Sequence, residues 1–296
     1  MAPGGDTDPG AGAAPAGESA VVTLRQLPRE LLGDPEFLRR FRSEAPIVAR
    51  LDPTYVVRTR AHVEDAFGLS LVTDYVDGLP LRSILPAATA RHPEAALVVL
   101  RDALLGLEAA HREGILHRDL RPERIIVDRH GIARITDLGL VARTPSNRWI
   151  PGTPEYMAPE LWADEEPTIA TDVYAAAVVL FECVSGAPPF RGGAVVIREQ
   201  HLSAALPVHD LPREITSLVL TGMARSPEQR YARAWDFAEE VEDAGRALSG
   251  TGWQRRGRRR LAAAVATALP PSLGTPGAEE RRGLIGRAHL PWHSRI

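Results

Sequence analysis

Two carboxylate side chains, Asp119 and Asp137, mark the stretch of this chain that is best equipped for chemistry. Two short apolar runs lie between them, at residues 125–127 and 132–135, and their β-branched residues favour strands. The Asp-Arg-His-Gly sequence at residues 128–131 predicts a turn between these strands. We therefore expect a hairpin that brings the two carboxylates together, a pairing suited to accepting a proton and binding a cation.

The residues around both carboxylates resemble motifs of the Ser/Thr protein kinases. Residues 117–124 are similar to the kinase catalytic loop H-R-D-L-K-P-x-N, and residues 137–139 are similar to the D-F-G motif. The resemblance implies that Asp119 orients the substrate hydroxyl and accepts its proton, and that Asp137 holds Mg²⁺ against the phosphates of ATP. It also implies that His117 is a core residue that holds the loop.

Further motifs follow in the order typical of a protein kinase. Residues 152–160 resemble the end of an activation segment, and Asp172 begins an apolar run that resembles the buried helix beneath the catalytic loop. Residues 227–231 resemble a late arginine motif. The chain is thus identified as a member of the bacterial, actinobacterial-type Ser/Thr protein kinase family. The resemblance implies an α+β, protein-kinase-like, two-lobed fold with a reduced N-lobe sheet and a mainly helical C-lobe.

Arg118 is expected, from the same resemblance, to pair with a phosphorylated residue of the activation segment. The available hydroxyl groups belong to Thr144, Ser146 and Thr153. For the first two, an ordinary loop residue is the simpler interpretation.

Three other residues are expected to anchor the site. Asp172 is well placed to accept hydrogen bonds from backbone N–H groups of the catalytic loop. Glu160 and Arg230 match a buried ion pair of the family, which ties the activation segment to the large lobe. The alternative for Glu160 and Arg230 is a pair of surface charges.

The small lobe contributes two candidate nucleotide-binding residues. Residues 21–25 predict a strand similar to the kinase V-A-I-K strand, and this register places Arg25 where the family has its ATP-binding Lys. Glu44 lies on the apolar stripe of the next predicted helix. It either matches the helix-C glutamate, with Arg25 as its partner, or is a rim residue of an amphipathic helix. Pro46 should kink or end that helix just after Glu44.

Two more strands are predicted in the small lobe, at residues 56–58 and 69–73. Residues 74–78, which follow, resemble the hinge that joins the lobes of a kinase. The resemblance implies that backbone groups of Asp74 and Val76 meet the adenine of ATP.

The composition of the chain indicates which kind of partner and which cellular compartment to expect. The formal net charge of -3 argues against a general nucleic-acid binder, so we expect a protein partner or substrate instead. The single cysteine, Cys183, cannot form an intrachain disulfide and fits a reducing compartment. No apolar run reaches the roughly 18 residues needed to span a bilayer, and no secretory signal is visible. These features predict a cytoplasmic protein.

The sequence divides into four parts: a disordered segment at 1–20, a reduced kinase N-lobe at 21–76, a kinase C-lobe at 77–250 and a basic tail at 251–296. We expect the tail to be solvated and largely disordered. The alternative is weak contact of the basic run at 255–260 with an anionic membrane surface or an acidic partner.

Departures from the family pattern bear most on function. No credible Gly-rich loop precedes the first strand, Arg25 replaces the ATP-binding Lys, and Arg121 replaces the Lys after the catalytic Asp. Arg124 replaces the Asn that is the family's second metal ligand. A guanidinium has five donors and no acceptor, so Arg124 cannot coordinate a cation. It would crowd the Mg²⁺ position, or pair with Asp137 or Asp119 in place of the metal.

These departures favour a pseudokinase that signals by binding partners, with weak or no phosphoryl transfer. ATP and Mg²⁺ are the cofactors that the resemblance implies, with Mg²⁺ binding weakened or lost. The alternative is an active Ser/Thr protein kinase that transfers the ATP γ-phosphate to protein hydroxyl groups, which the retained Asp119 and Asp137 support.

Overall fold

The computed structural model describes residues 21–27, 32–65, 68–89, 92–140 and 153–269. They form a small lobe with one sheet and one helix, and a larger, mainly helical lobe. The strands are β1 (Val22–Gln26), β2 (Thr59–Asp65), β3 (Gly68–Asp74), β4 (Gly78–Pro80), β5 (Ile125–Asp128) and β6 (Ala133–Ile135). The helices are α1 (Pro35–Val48), α2 (Leu81–Ala88), α3 (Pro93–Arg112), α4 (Pro159–Trp162), α5 (Ile169–Ser185), α6 (Ala194–Ser203), α7 (Arg213–Gly222), α8 (Ala234–Ser249) and α9 (Trp253–Ala268).

The small lobe consists of an antiparallel sheet in the order β1-β3-β2, covered on one face by α1. Phe37 and Phe41 of α1 pack with Leu69 and Leu71 of β3 in a separate small core. Leu71 lies opposite Arg25 of β1 in the register, so Arg25 is carried on the strand beside this core. The sheet and helix together fix the backbone position of Arg25.

Helix α1 does not end just after Glu44, which corrects one of the two alternatives, a kink or an end, predicted from Pro46. It continues to Val48, with Pro46 inside its last turn. Proline removes one backbone hydrogen bond from a helix. Ala45 and Val48 are buried on the covered face, so their packing maintains the last turn in spite of that loss.

The strand predicted at residues 56–58 is also wrong, because β2 begins only at Thr59. Residues 55–57 run instead beside β6 of the large lobe. Ile135 N–H donates to the Tyr55 carbonyl at 2.9 Å, and Val57 N–H donates to the Ile135 carbonyl at 2.8 Å. This segment therefore fastens the small lobe to the strand that leads to Asp137.

Helices α3 and α5 form the centre of the large lobe. Apolar side chains face the interior around most of α5, and Cys183 is fully buried there. A second sheet, in the order β4-β5-β6, lies against α3 and joins the two segments that carry Asp119 and Asp137. The predicted hairpin is confirmed as β5 and β6, with Ile125 paired opposite Ile135.

The expectation of a disordered tail is wrong for residues 253–268, which form α9 and pack on α3. Trp253, Leu261 and Val265 are buried along one face of α9. Arg258 also points inward, and the exposed arginines of the basic run are Arg255, Arg256, Arg259 and Arg260. Among the described helices, none combines the length and apolar character needed to cross a bilayer. The segments predicted at 1–20 and beyond residue 269 lie outside the described residues.

Candidate active site

The β5–β6 hairpin brings Asp119 and Asp137 to the same end of the second sheet. A short 3-10 turn, Pro122–Arg124, leads from the loop into β5. Thr136 N–H donates to the Arg124 carbonyl at 2.9 Å, which closes the hairpin next to Asp137. Asp137 has a φ of 66°, a left-handed conformation that is uncommon outside glycine and frequent at functional sites.

Arginine side chains contact both carboxylates. Arg124 donates through Nε to Asp119 Oδ2 at 3.2 Å and through Nη1 to Asp137 Oδ2. Arg25 Nη1 donates to the same oxygen of Asp137. Arg121 Nε lies 3.3 Å from Asp119 Oδ2, and its Nη1 donates to Thr153 Oγ1 at 3.0 Å. The structure thus brings together the three arginines that depart from the family pattern.

The guanidinium groups in this cluster also repel one another. Burial, together with the nearby charges of Arg124 and Arg121, lowers the pKa of Arg25 to about 9, although Asp119 acts in the opposite direction. Burial likewise lowers the pKa of Arg124. The Arg124 side chain is 7% exposed, whereas that of Arg25 is 30% exposed, so Arg25 is the more accessible of the two.

Glu44 does not pair with Arg25, and this corrects the expected partner. Its two oxygens accept from Arg118, with Nη1 at 3.2 Å from Oε2 and Nη2 at 3.1 Å from Oε1. Arg25 is drawn to Asp137, while Glu44 lies so close to Gly139 that an added Cβ would be 2.5 Å from Oε2. Glu44 is therefore a cleft residue, and the rim alternative does not describe it.

Arg118 is consequently engaged by a carboxylate of the small lobe. Of the three hydroxyls considered for a phosphorylated partner, Thr144 and Ser146 lie outside the described residues. Thr153 contacts Arg121 instead. Pairing of Arg118 with a phosphate stays a prediction.

Asp172 holds the catalytic loop from below. It accepts from the backbone N–H groups of His117 and Arg118, each at 2.8 Å. His117 is fully buried, and burial lowers its pKa, so its imidazole is held neutral beneath the loop. His111 Nε2 also lies 2.8 Å from Asp172 Oδ2, a contact that we did not predict. The sequence feature that could have predicted this contact is the position of His111 on the apolar stripe of α3.

Glu160 and Arg230 form a bidentate ion pair, with both nitrogen–oxygen distances at 2.8 Å. The side chain of Arg230 is fully buried and that of Glu160 is 4% exposed, so two surface charges do not describe them. Thr171 Oγ1 adds a further hydrogen bond to Glu160 at 2.8 Å. The pair links α4, next to the activation segment, to the large lobe.

A model of the protein kinase domain matches residues 18–243. This chain belongs to the protein kinase family. Serine/threonine-protein kinase PknH of Mycobacterium bovis is 32% identical over 271 residues, which are 86% of this chain and 46% of that protein. Serine/threonine-protein kinase PkaB of Streptomyces coelicolor is 34% identical over 255 residues, which are 81% of this chain and 60% of that protein. The chain spans about half the length of these curated relatives.

The fold is likewise that of a protein kinase. The crystal structure of the Mycobacterium tuberculosis PknI kinase domain aligns with a TM-score of 0.60 over 75% of this chain and 85% of that chain. The sequence identity in this alignment is 23%, so this likeness concerns the fold. The α+β architecture, with small antiparallel sheets and a mainly helical large lobe, is confirmed.

Residues 74–78, which are predicted to be the hinge, begin at the end of β3. Asp74 N–H donates to the Arg58 carbonyl at 2.9 Å, and Tyr75 N–H donates to the Val21 carbonyl at 3.3 Å. These two amides are therefore engaged within the small lobe. Contact of adenine with the carbonyl of Asp74 or with the backbone of Val76, which is half-buried, stays a prediction.

Arg82 links the catalytic loop to the end of the activation segment, a role that we did not predict. It donates to Glu123 Oε1 at 2.7 Å, to the Tyr156 hydroxyl at 2.6 Å and to the buried carboxylate of Glu182. The sequence feature that could have predicted this role is Glu182, because a glutamate inside the apolar run of α5 requires a cationic partner. This cluster fixes Tyr156 close to the loop that carries Asp119.

The side chains at the cation position do not fit Mg²⁺. Mg²⁺ requires oxygen ligands in near-octahedral geometry, but Asp137 Oδ2 already accepts from two guanidinium groups. Arg124 has only donors to offer.

Proposed function

We propose that this protein is a pseudokinase, which signals by binding a protein partner and transfers phosphate weakly or not at all. One observation carries the proposal: the oxygen of Asp137 that would hold Mg²⁺ accepts from both Arg25 and Arg124. Phosphoryl transfer depends on positioning and on neutralising the phosphate charge, largely through the metal. Mg²⁺ binding is weakened or lost in this proposal.

The size of the catalytic defect follows from two replaced residues. Removing one preorganised electrostatic interaction commonly slows catalysis by roughly 10²–10³-fold. Arg124 stands in place of the family's metal-binding Asn, and Arg25 stands in place of its ATP-binding Lys, so two such interactions are affected. A chain that has neither of the usual residues is expected to be a very slow phosphotransferase.

The alternative is an active Ser/Thr protein kinase, and a specific set of contacts favours it. Arg121 bridges Asp119 and Thr153, Asp172 holds the loop, and the ion pair of Arg230 is complete. This frame would keep Asp119 beside a substrate hydroxyl. Relatives that are named serine/threonine-protein kinases support the same alternative.

A transfer assay separates the two. Wild-type protein and Asp119→Asn would be incubated with γ-labelled ATP and either Mg²⁺ or Mn²⁺, and label on the chain and on a generic substrate protein would be counted. Asp210→Asn is the matched control, because its side chain is 90% exposed on the surface. The pseudokinase proposal expects equal background label in all three. Label that disappears only in Asp119→Asn would establish the active kinase.

The cytoplasmic location and the contacts of the basic run belong to the same proposal. Burial raises the pKa of the Cys183 thiol, in keeping with a packed, reduced cysteine. Arg259 and Arg260 are among the exposed arginines of α9 and are available for weak contact with an anionic surface. Co-sedimentation with vesicles that contain anionic lipid, compared between wild type and a variant with both arginines changed to Gln, tests this contact.

A further inference from the structure

Three guanidinium groups meet two carboxylates at the base of the cleft. Arg25 and Arg124 share one oxygen of Asp137, while Arg121 and Arg124 share one oxygen of Asp119. Glu44, the acidic residue nearest to this cluster on α1, is bound by Arg118. Glu123 reaches Arg121 only at 3.5 Å and is held more closely by Arg82, at 2.7 Å.

We propose that this cluster binds the phosphate groups of a nucleoside triphosphate directly, with guanidinium groups in place of a divalent cation. The inference rests on the proposed function, in which Asp137 does not serve as a metal ligand. It adds a mode of binding, in which the nucleotide phosphates are bound by guanidinium groups without a metal ion. The misfit between the cluster and Mg²⁺ is the observation from which it starts.

Guanidinium groups suit this task. Each presents a planar array of donors that matches two phosphate oxygens, and each keeps its charge at neutral pH. Arg25, with a 30% exposed side chain, is the group that an entering ligand reaches first. A phosphate beside Arg25 and Arg124 would offer new acceptors to both and relieve the repulsion between them, which adds to burial in lowering the pKa of Arg25.

Mg²⁺ should oppose this binding. In solution it chelates ATP, removes two negative charges from the ligand and brings a dication towards Arg25 and Arg124. Unlike a metal-dependent kinase, this protein should therefore bind free ATP more tightly than Mg²⁺-bound ATP. Repulsion between neighbouring charges of this kind corresponds to about tenfold or more in the dissociation constant.

The test is calorimetric titration of the full chain with ATP, once in EDTA and once in excess Mg²⁺, at one ionic strength. We expect a measurable dissociation constant in EDTA that rises by about tenfold in Mg²⁺. Binding that requires Mg²⁺ would overturn the inference. Absence of binding in both buffers would overturn it as well.

Variants assign the effect to the cluster. Arg124→Asn restores the family's metal-ligand type and should reverse the preference, so that Mg²⁺ tightens binding. Arg25→Gln should weaken binding in EDTA by at least tenfold, and it carries the test if the more buried Arg124 variant fails to fold. Arg198→Gln is the matched control, since this residue is exposed on α6 and paired with Glu199. An Arg25 variant that binds as the control does would refute the assignment.

The inference and the proposed function fail in different assays. Asp119-dependent transfer of label would refute the pseudokinase proposal. Binding that depends on Mg²⁺, without any transfer of label, would refute only the guanidinium-binding mode.

Discussion

The ion pair between Asp102 and Arg258 makes a quantitative prediction about the C-terminal helix. Asp102 is fully buried in α3, and Arg258 of α9 donates to both of its oxygens at 2.9 Å. Ala133 N–H, from β6, donates to the same carboxylate at 3.1 Å. Arg258→Leu would remove the bidentate cation and leave the carboxylate in the interior.

The expected loss in the free energy of unfolding follows from the burial of this ion pair. Removing one partner of a buried ion pair costs about 3–5 kcal/mol. Arg258 is 26% exposed, and two partners of Asp102 remain, Ala133 N–H and Arg101 Nη1 at 3.3 Å, so we expect about 3 kcal/mol, the lower end of that range. Burial raises the pKa of Asp102 even with Arg258 present, so Asp102 in the variant can relieve part of the cost by taking up a proton. The deficit should therefore grow as the pH rises through the raised pKa of Asp102 in the wild type towards the still higher pKa in the variant.

Urea unfolding at neutral and mildly acidic pH measures this cost. Arg259→Leu is the matched control on the same helix, because Arg259 is exposed, and it should change the free energy of unfolding by no more than about 0.5 kcal/mol. Asp102→Leu combined with Arg258→Leu should recover most of the loss, since no unpaired charge remains. Equal effects of Arg258→Leu and Arg259→Leu would refute the reasoning, as would a double variant less stable than Arg258→Leu.

Two further predictions concern packing and pH. An added Cβ at Gly131, which has a φ of 75°, would lie 2.2 Å from the Arg258 carbonyl, whereas at Gly186, with a φ of 86°, it would meet nothing within 4 Å. Gly131→Ala should therefore cost ~1–3 kcal/mol more than Gly186→Ala in urea unfolding, and equal costs would contradict the close packing of α9. Burial acts to raise the pKa of Glu160, but the hydrogen bonds and charge of Arg230 outweigh it and leave that pKa below its usual value. The pair should thus stabilise the fold fully above the ordinary carboxyl pKa and less as the pH falls through the lowered one, so Arg230→Met should flatten the acid side of the stability curve measured by urea unfolding.

Local patterns account for what could be predicted from the sequence. The hairpin between Asp119 and Asp137 follows from two β-branched runs around a turn, which involve only neighbouring residues. The order and spacing of the motifs then predicted the protein kinase family and its fold. The resemblance of the motifs predicted the role of Asp172 and the pairing of Glu160 with Arg230. In the structure Asp172 accepts from the loop backbone, and Arg230 donates to Glu160.

The remaining features depend on which side chains meet in space. The resemblance to the family gave Arg25 as the partner of Glu44, in one of two alternatives, but a partner is determined by distance and charge, and Arg118 is the cation that contacts Glu44. Residues 253–268 were expected to be disordered because their charge dominates the composition. The apolar face at Trp253, Leu261 and Val265 has helical spacing, and it becomes informative only once α3 is known to need covering.

The central claim is that arginine side chains, and not a divalent cation, bind the carboxylate of Asp137. Whether Asp137 coordinates a metal ion tests this claim most directly. The decisive measurement is an anomalous-difference map at the manganese edge, from crystals of the protein with ATP and Mn²⁺. We predict no manganese peak within coordination distance of Asp137, with Arg124 still bound to its carboxylate. A manganese ion coordinated by Asp137, with Arg124 displaced, would contradict the claim.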